Sequence, residues 1–348
     1  MKIGIDTGQF AKGDAIRGIG VYNRLLVENL KKLKDLKVEQ VDAKRDDLSK
    51  YDLIHYIRFH PYFISIPFRK QTKSIITIHD LIPLIYPEHF PPGIKGSLRL
   101  LIQKYLIKKI DAVIAVSETS KKDIVRFLGI PVEKIYVIHL ASEDSFKKLS
   151  DGSWKNDIRT RYKLPERFIL NVGDVNYNKN ILGLAEACKM INVPLVLVGK
   201  QLTSKDFDPG HPENRSFSKL IEKYGTDKDI LRLGFVSDDD LVKIYNLATI
   251  YCQPSFYEGF GLSVLKAFAC EIPVVAAKTQ ALVEIGGPAC VYADPNKPKD
   301  IADKISQVLK DRELAKELVE RGKVLAKNYS WEKTARETFE VYKKVLAK

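Results

Sequence analysis

The sequence predicts an α/β protein built from two doubly wound parallel-sheet domains. Short β-branched runs recur along the whole chain, most of them are separated by enough residues for a crossover helix, and they are nearly continuous in apolar residues. Strands of that composition belong to parallel sheets covered on both faces, not to sheets with one wet side. The chain has 348 residues, 45% hydrophobic and 29% charged, which is enough for two buried cores.

In order, KIGID, DLIHYI, SIITIHD, AVIAVS and KIYVIHL precede residue 145, and FILNVGD, PLVLVGK, ILRLGFV, TIYCQPS, PVVAAK and ACVYAD follow it. Between the two groups the polar stretch 143–168 lacks strand pattern and is the expected interdomain connection, giving domains 1–155 and 156–330. After Tyr329 the segment SWEKTARETFEVYKKVLAK opens on a Ser330 cap and reads as a terminal amphipathic helix, 331–348. Open parallel sheets bind ligands beyond the carboxyl ends of their strands, so two such domains face to face imply a site in a cleft.

The formal charge of +13 is unevenly divided: residues 1–150 carry 26 Lys/Arg against 17 Asp/Glu, the remainder 31 against 27. Within the basic half, SLRLLIQKYLIKKI (97–110) sets apolar residues at helical spacing with Lys104, Lys108 and Lys109 on another side. That pattern fits an interfacial helix drawn to anionic lipid, or a core-packed helix with a solvated basic face. Nucleic acid is not the expected partner, because stacking aromatics are not interleaved with the basic residues. No apolar run approaches the roughly 18 residues of a membrane span, and KIGID follows the first Met without a basic-then-apolar leader. A cytoplasmic location is expected, with peripheral contact on the inner face of an anionic membrane. Cys188, Cys252, Cys270 and Cys290 fall singly in apolar surroundings, which argues for buried thiols, not a zinc or disulfide framework.

Several groups fall where strands give way to helices. RGIGVY (17–22) follows the first strand; Gly18 and Gly20 allow close backbone approach to a ligand, though such glycines also simply make turns. TIHD ends another strand and presents His79, a residue type as often packed as catalytic. GDVNYNKN (173–180) sets Lys179 near a helix start, a position suited to phosphate. YEGFGL places Glu258 in a turn ahead of a helix, with backbone N–H groups available for hydroxyls or a diphosphate.

Taken together, RGIGVY, TIHDLIPLIYPEHF, AVIAVSETSKKDIVRFLGIPVEKI, NVGDVNYNKN, LVLVGK, RLGFVSDDDLVKIYNLATIYCQPSFYEGFGLSVLKAFACEIPVV and ALVEIGG resemble, in family order, glycosyltransferase family 4. These are retaining nucleotide-sugar transferases of GT-B fold. The resemblance implies a metal-independent hexosyltransferase that needs no cofactor, takes a nucleoside-diphosphate sugar as donor and serves a glycan or lipid-linked acceptor. By matching position it assigns Gly18 and Gly20 to the diphosphate loop, His79 to the neighbourhood of the transferred sugar, and Gly173 and Lys179 of GDVNYNKN to donor binding, with Lys179 on the diphosphate. Glu258 would hold the donor sugar, with the Gly259, Phe260, Gly261 and Leu262 backbone close to sugar and phosphate.

Two positions depart from the family pattern. Asp174 stands where many members carry an arginine, so Lys179 would act with fewer cations and Arg17 or Lys200 are candidate helpers. Lys266 stands where the family has a glutamate that accepts hydrogen bonds from ribose hydroxyls, and an ammonium can only donate. Its helical neighbours offer no carboxylate, which leaves two readings: a solvated lysine, or altered recognition of the nucleotide. A relative that binds a glycan, lipid or partner without turnover is the alternative function these departures allow.

Overall fold

The apolar runs become the strands of two parallel sheets in a computed structural model that describes residues 1–8, 18–204 and 206–348. Arg17 lies outside the described residues. The chain divides into two units, Met1–Ala141 with Tyr329–Lys348, and Ser142–Asn328.

In the first unit, β1 (Lys2–Asp6), β2 (Lys37–Val41), β3 (Leu53–Tyr56), β4 (Lys73–Ile78), β5 (Ala112–Ala115) and β6 (Ile135–Val137) lie in the order β2-β1-β3-β4-β5-β6. Every pairing is parallel, with Ile3 opposite Val38 and Leu53. The connections carry α1 (Gly18–Leu30), α2 (Ile82–Ile85), α3 (Gly93–Ile107) and α4 (Glu118–Asp123). Central strands such as β3 and β5 are buried at every position, which is why they read as unbroken apolar runs. The edge strand β2, KVEQV, escapes that reading because three of its five positions keep solvent access and hold polar residues.

The second unit repeats the plan. Its strands β7 (Ile169–Val172), β8 (Leu195–Val198), β9 (Ile230–Arg232), β10 (Ile250–Gln253), β11 (Val274–Ala277) and β12 (Cys290–Ala293) lie in the order β12-β11-β10-β7-β8-β9, again parallel. Its helices are α5 (Lys155–Tyr162), α6 (Ile181–Met190), α7 (Arg215–Tyr224), α8 (Asp238–Leu247), α9 (Leu262–Ala269), α10 (Gln280–Gly286), α11 (Pro298–Lys310) and α12 (Arg312–Ala326). The unit begins at Ser142, ahead of the expected boundary at 155/156. Residues 143–154 belong to it because Leu149 N–H and Lys147 C=O bond the Asn246 side chain of α8, and Phe146 packs edge-on against Tyr245. All four cysteines are buried, and burial pushes the Cys270 and Cys290 thiols up to about 12.

The chain then returns to the first unit through α13 (Trp331–Leu346). Ser330 caps it, accepting from Lys333 N–H at 3.1 Å, and Thr334 donates to the His139 carbonyl at 2.7 Å. At its centre Tyr342 OH lies 2.8 Å from His55 Nδ1, while His55 Nε2 and Tyr22 OH both meet Thr77 Oγ1, at 2.8 and 2.9 Å. This buried chain of partners ties α13 to α1, β3 and β4. Burial lowers the His55 pKa to about 3 and, for His60, to about 4.

A pH dependence follows. Both imidazoles are neutral in the folded protein and titrate near 6.5 once unfolded, so protons bind the unfolded chain first. Their contribution is whole above pH 6.5 and is lost as pH falls from there toward 4 for His60 and 3 for His55. Denaturant titrations across pH 7 to 4 should show stability falling by up to about 1.4 kcal/mol per pH unit for each histidine. In His55→Asn, whose side chain does not titrate, that slope should be shallower.

Candidate active site

Gly173 leaves the carboxyl end of β7 and its N–H bonds the Val198 carbonyl of β8 at 2.9 Å. A short 3-10 turn, Tyr177–Lys179, follows, and Asn180 begins α6 from a left-handed conformation, φ 52°. Asparagine tolerates that geometry, and its side chain here serves two carbonyls, donating to Pro254 at 3.1 Å and Pro295 at 2.7 Å. Asn178 donates to the Tyr257 carbonyl, Phe256 N–H bonds the Asn178 carbonyl, and the Tyr177 and Phe256 rings stack at 5.0 Å. The loop after β7 is thereby fastened to the loop after β10, and Lys179 is held against Glu258.

The Lys179 ammonium lies 2.9 Å from both carboxylate oxygens of Glu258. Glu258 Oε1 also accepts from Gln253 Nε2 at 2.8 Å and from Ser255 Oγ at 2.6 Å. Gln253 is oriented in turn by the Tyr251 hydroxyl. The two carboxylate oxygens are therefore unequal. Oε1 is occupied by three donors, whereas Oε2 receives Lys179 alone among the described hydrogen bonds, leaving lone-pair directions for donors on a ligand. Sequence spacing singled out Glu258 and Lys179 separately; Gln253 and Ser255, which aim the carboxylate, were missed although QPS stands in the quoted stretch.

Gly199, at the end of β8, is another residue the motif reading passed over. A Cβ there would sit 2.0 Å from the Gly173 carbonyl oxygen, so only glycine lets the two strand ends approach this closely. Gly199→Ala must move backbone at the site. It should cost about 1–3 kcal/mol of stability, read by urea denaturation. Lys200, the next residue, is exposed at the start of a 3-10 turn. Asp174 is partly exposed beside Gly173.

After Glu258, Gly259 and Phe260 are buried, and Gly261 takes φ 111°, a backbone angle suited to glycine, to start α9 at Leu262. One turn on, Lys266 is not solvated. Its side chain is 14% exposed, its ammonium lies 3.0 Å from Glu143 Oε1, itself 9% exposed, and it sits 4.2 Å from the Phe146 ring centroid. The solvated reading is thereby corrected: helical spacing offered no carboxylate, but the segment opening the second unit brings one from 123 residues away. The second oxygen, Glu143 Oε2, is buried and accepts no hydrogen bond.

The remaining predicted residues belong to the first unit. Gly18 and Gly20 lie within helix α1 and not in a turn ahead of it, Gly18 exposed and Gly20 buried. His79 follows β4, with its ring edge-on to Tyr22 at 4.7 Å. Its Nε2 is buried without a partner, while the ring's hydrogen bond to the Ile57 backbone falls to Nδ1–H as donor. Burial lowers the His79 pKa to about 4. The neutral ring therefore presents Nε2 as an unused acceptor.

Two doubly wound parallel units, with a cation and a carboxylate locked at the strand ends of the second, define the class of GT-B glycosyltransferases. The family description "Glycosyl transferases group 1" matches residues 153–325 and "Glycosyltransferase Family 4" matches residues 16–141. The chain belongs to glycosyltransferase family 4. It is similar to O-antigen chain mannosyltransferase B of Escherichia coli, 30% identical over 302 residues that span 84% of this chain and 75% of that protein. Serotype-specific mannosyltransferase WbdA of Escherichia coli is 26% identical over 85% of this chain, which spans 37% of the length of that relative. The crystal structure of Anabaena Alr3699/HepE in complex with UDP-glucose superposes with a TM-score of 0.75 at 17% identity, covering 99% of this chain and all of the other.

Proposed function

We propose that this glycosyltransferase moves a hexose, with mannose the first choice, from a nucleoside-diphosphate sugar to a glycan or lipid-linked acceptor, without a metal ion and with retention at the anomeric carbon. The observation that carries the reading is the Glu258–Lys179 arrangement: one carboxylate oxygen accepts from three donors and the other from Lys179 alone, beside a half-buried ammonium. Mannose is chosen because the Escherichia coli relatives bear that name.

In this reading Glu258 Oε2 accepts hydroxyl hydrogens of the donor sugar and holds the anomeric carbon in place. Lys179 turns from Glu258 to the diphosphate and neutralises charge as the glycosidic bond breaks, which a fixed cation does without reorganisation. The leaving phosphate takes the acceptor proton on the face it departs from, so no second carboxylate of glycosidase type is called for.

Donor hydrolysis and thermal shift with a panel of GDP-mannose and UDP-, ADP- and dTDP-hexoses test the reading, because a bound donor stabilises the fold by mass action. Turnover of one nucleotide sugar with an α-configured product is the expected result. Binding of a glycan with no turnover of any donor would establish the non-catalytic alternative instead.

A further inference from the structure

Helix α1 packs one flank into the fold and leaves the other beside an open groove. The groove holds about 400 Å³, a size within the roughly 300–1,000 Å³ of small-molecule sites. Tyr22 marks the packed flank: its hydroxyl meets Thr77, and its ring lies against His79 and Trp331. At about 100° per residue, Asn23, Val27, Lys31, Arg24 and Glu28 fall between roughly 100° and 240° around the helix from Tyr22. Those five side chains line the groove, and Gln40 of β2 and Thr7 at the end of β1 face them. This flank stays open because β2 is an edge strand, and residues 42–52 beyond it form turns and no helix to cover it.

Hydrogen-bonding groups of both kinds meet there. Asn23 Oδ1 is buried and accepts no hydrogen bond among the described residues. A buried acceptor left unmade carries its full desolvation cost, so this atom calls for a donor from outside the fold. The Glu28 carboxylate adds acceptors, and the exposed Gln40 amide both accepts and donates. Arg24 and Lys31 only donate. Arg24 stands 3.7 Å from Glu28 with both side chains half exposed, a loose pair that leaves much of their hydrogen-bonding capacity unused. The Thr7 hydroxyl reaches the Val41 carbonyl only at 3.5 Å. None of the described lining residues is aromatic.

We infer that this groove is a saccharide subsite, holding residues of an acceptor glycan that lie behind the end being extended. Each ring hydroxyl both donates and accepts, which matches acceptors and donors set side by side along one wall. A phosphate offers acceptors only and would face the Glu28 carboxylate, and a nucleobase would find no ring to stack on. The groove lies on the flank of α1 away from Tyr22 and His79. A helix with its side chains is roughly 10–12 Å across, so a ligand that reaches from one flank to the other needs several linked sugars. The inference rests on the transfer reaction proposed above and restricts its acceptor to a glycan of more than one or two residues.

Calorimetry without donor tests it, using mannose and a linear mannose tetrasaccharide. The wild-type protein should bind the tetrasaccharide, and mannose more weakly by about tenfold or more. Asn23→Leu removes the unpartnered acceptor and Gln40→Trp fills the groove from an exposed position; each should weaken tetrasaccharide binding by about tenfold, the scale of one lost hydrogen-bonding group. In transfer assays the same variants should raise KM for the tetrasaccharide acceptor by a similar factor. Their kcat, their KM for a disaccharide acceptor and their donor hydrolysis should be unchanged. No tetrasaccharide binding by the wild type, variants that bind and extend it like wild type, or its displacement by inorganic phosphate would each overturn the saccharide assignment. Absence of donor turnover in the wild type would instead sink the transfer reaction, while tetrasaccharide binding lost in Gln40→Trp would still put a glycan in the groove.

Discussion

Lys179→Ala and Glu258→Ala are each expected to lower turnover by ~10²-fold or more, the scale of losing one preorganised electrostatic contact. The reasons differ. In the proposed reaction, loss of Lys179 takes from the departing diphosphate the ammonium that Glu258 holds at 2.9 Å. Loss of Glu258 takes from the proposed donor sugar its acceptor, and from Gln253 Nε2 and Ser255 Oγ the oxygen that both now address. Because the pair works as a unit, the double variant should be scarcely worse than either single one. Glu258→Gln is a sharper probe: it keeps the shape but cannot accept at both terminal atoms, so it should fail nearly as badly. Single-turnover kinetics on variants whose melting curves confirm folding would read this, and unchanged rates in both alanine variants would remove the site assignment.

The second large effect concerns Lys266. Removing the lysine alone, as in Lys266→Ala, leaves the Glu143 carboxylate buried without its counter-charge, and a broken buried pair typically costs about 3–5 kcal/mol. Lys266→Met combined with Glu143→Gln should recover most of that loss, because no uncompensated charge remains. Urea denaturation measures both, and a full-strength Lys266→Ala protein would show that the pair contributes nothing. Lys266→Glu by itself would set two carboxylates side by side, so the informative variant is the exchange, Lys266→Glu with Glu143→Lys. If position 266 addresses the nucleotide ribose, the exchange should move preference from dTDP- toward UDP-sugars by ~1 to 3 kcal/mol, the scale of a buried polar group gaining its partner. A calorimetric ratio that does not move would place the ribose elsewhere.

Much of the architecture was legible because parallel strands buried on both faces must be apolar at nearly every position. KIGID, SIITI and PLVLV announce themselves in this way. The strand that escaped, KVEQV, sits on a sheet edge, where solvent relaxes the demand for apolar residues. Gly18 and Gly20 read as turn residues because glycine permits turns, yet both lie within helix α1. Glu258 and Lys179 could be named singly from loops that follow strands. Their 2.9 Å contact could not, because it depends on β7 and β10 being neighbours in the sheet.

The same distinction separates the two ion pairs from the motifs that contain them. Sequence alone determined the α/β class, the strand-end loops and the identity of the residues at 179, 258 and 266, since these follow from local composition and order. Tertiary structure decided that Lys266 faces Glu143, that a Cβ at Gly199 would meet the Gly173 carbonyl, and that α3 turns Ile94, Leu98, Leu101 and Tyr105 outward. Periodicity shows that a helix has apolar residues on a face, but not whether a neighbour covers that face. Likewise a charge carries no record of its partner when the partner lies 123 residues away, because long-range pairing is set by how sheets order their strands and segments pack upon them, and neither is written in the spacing of adjacent residues.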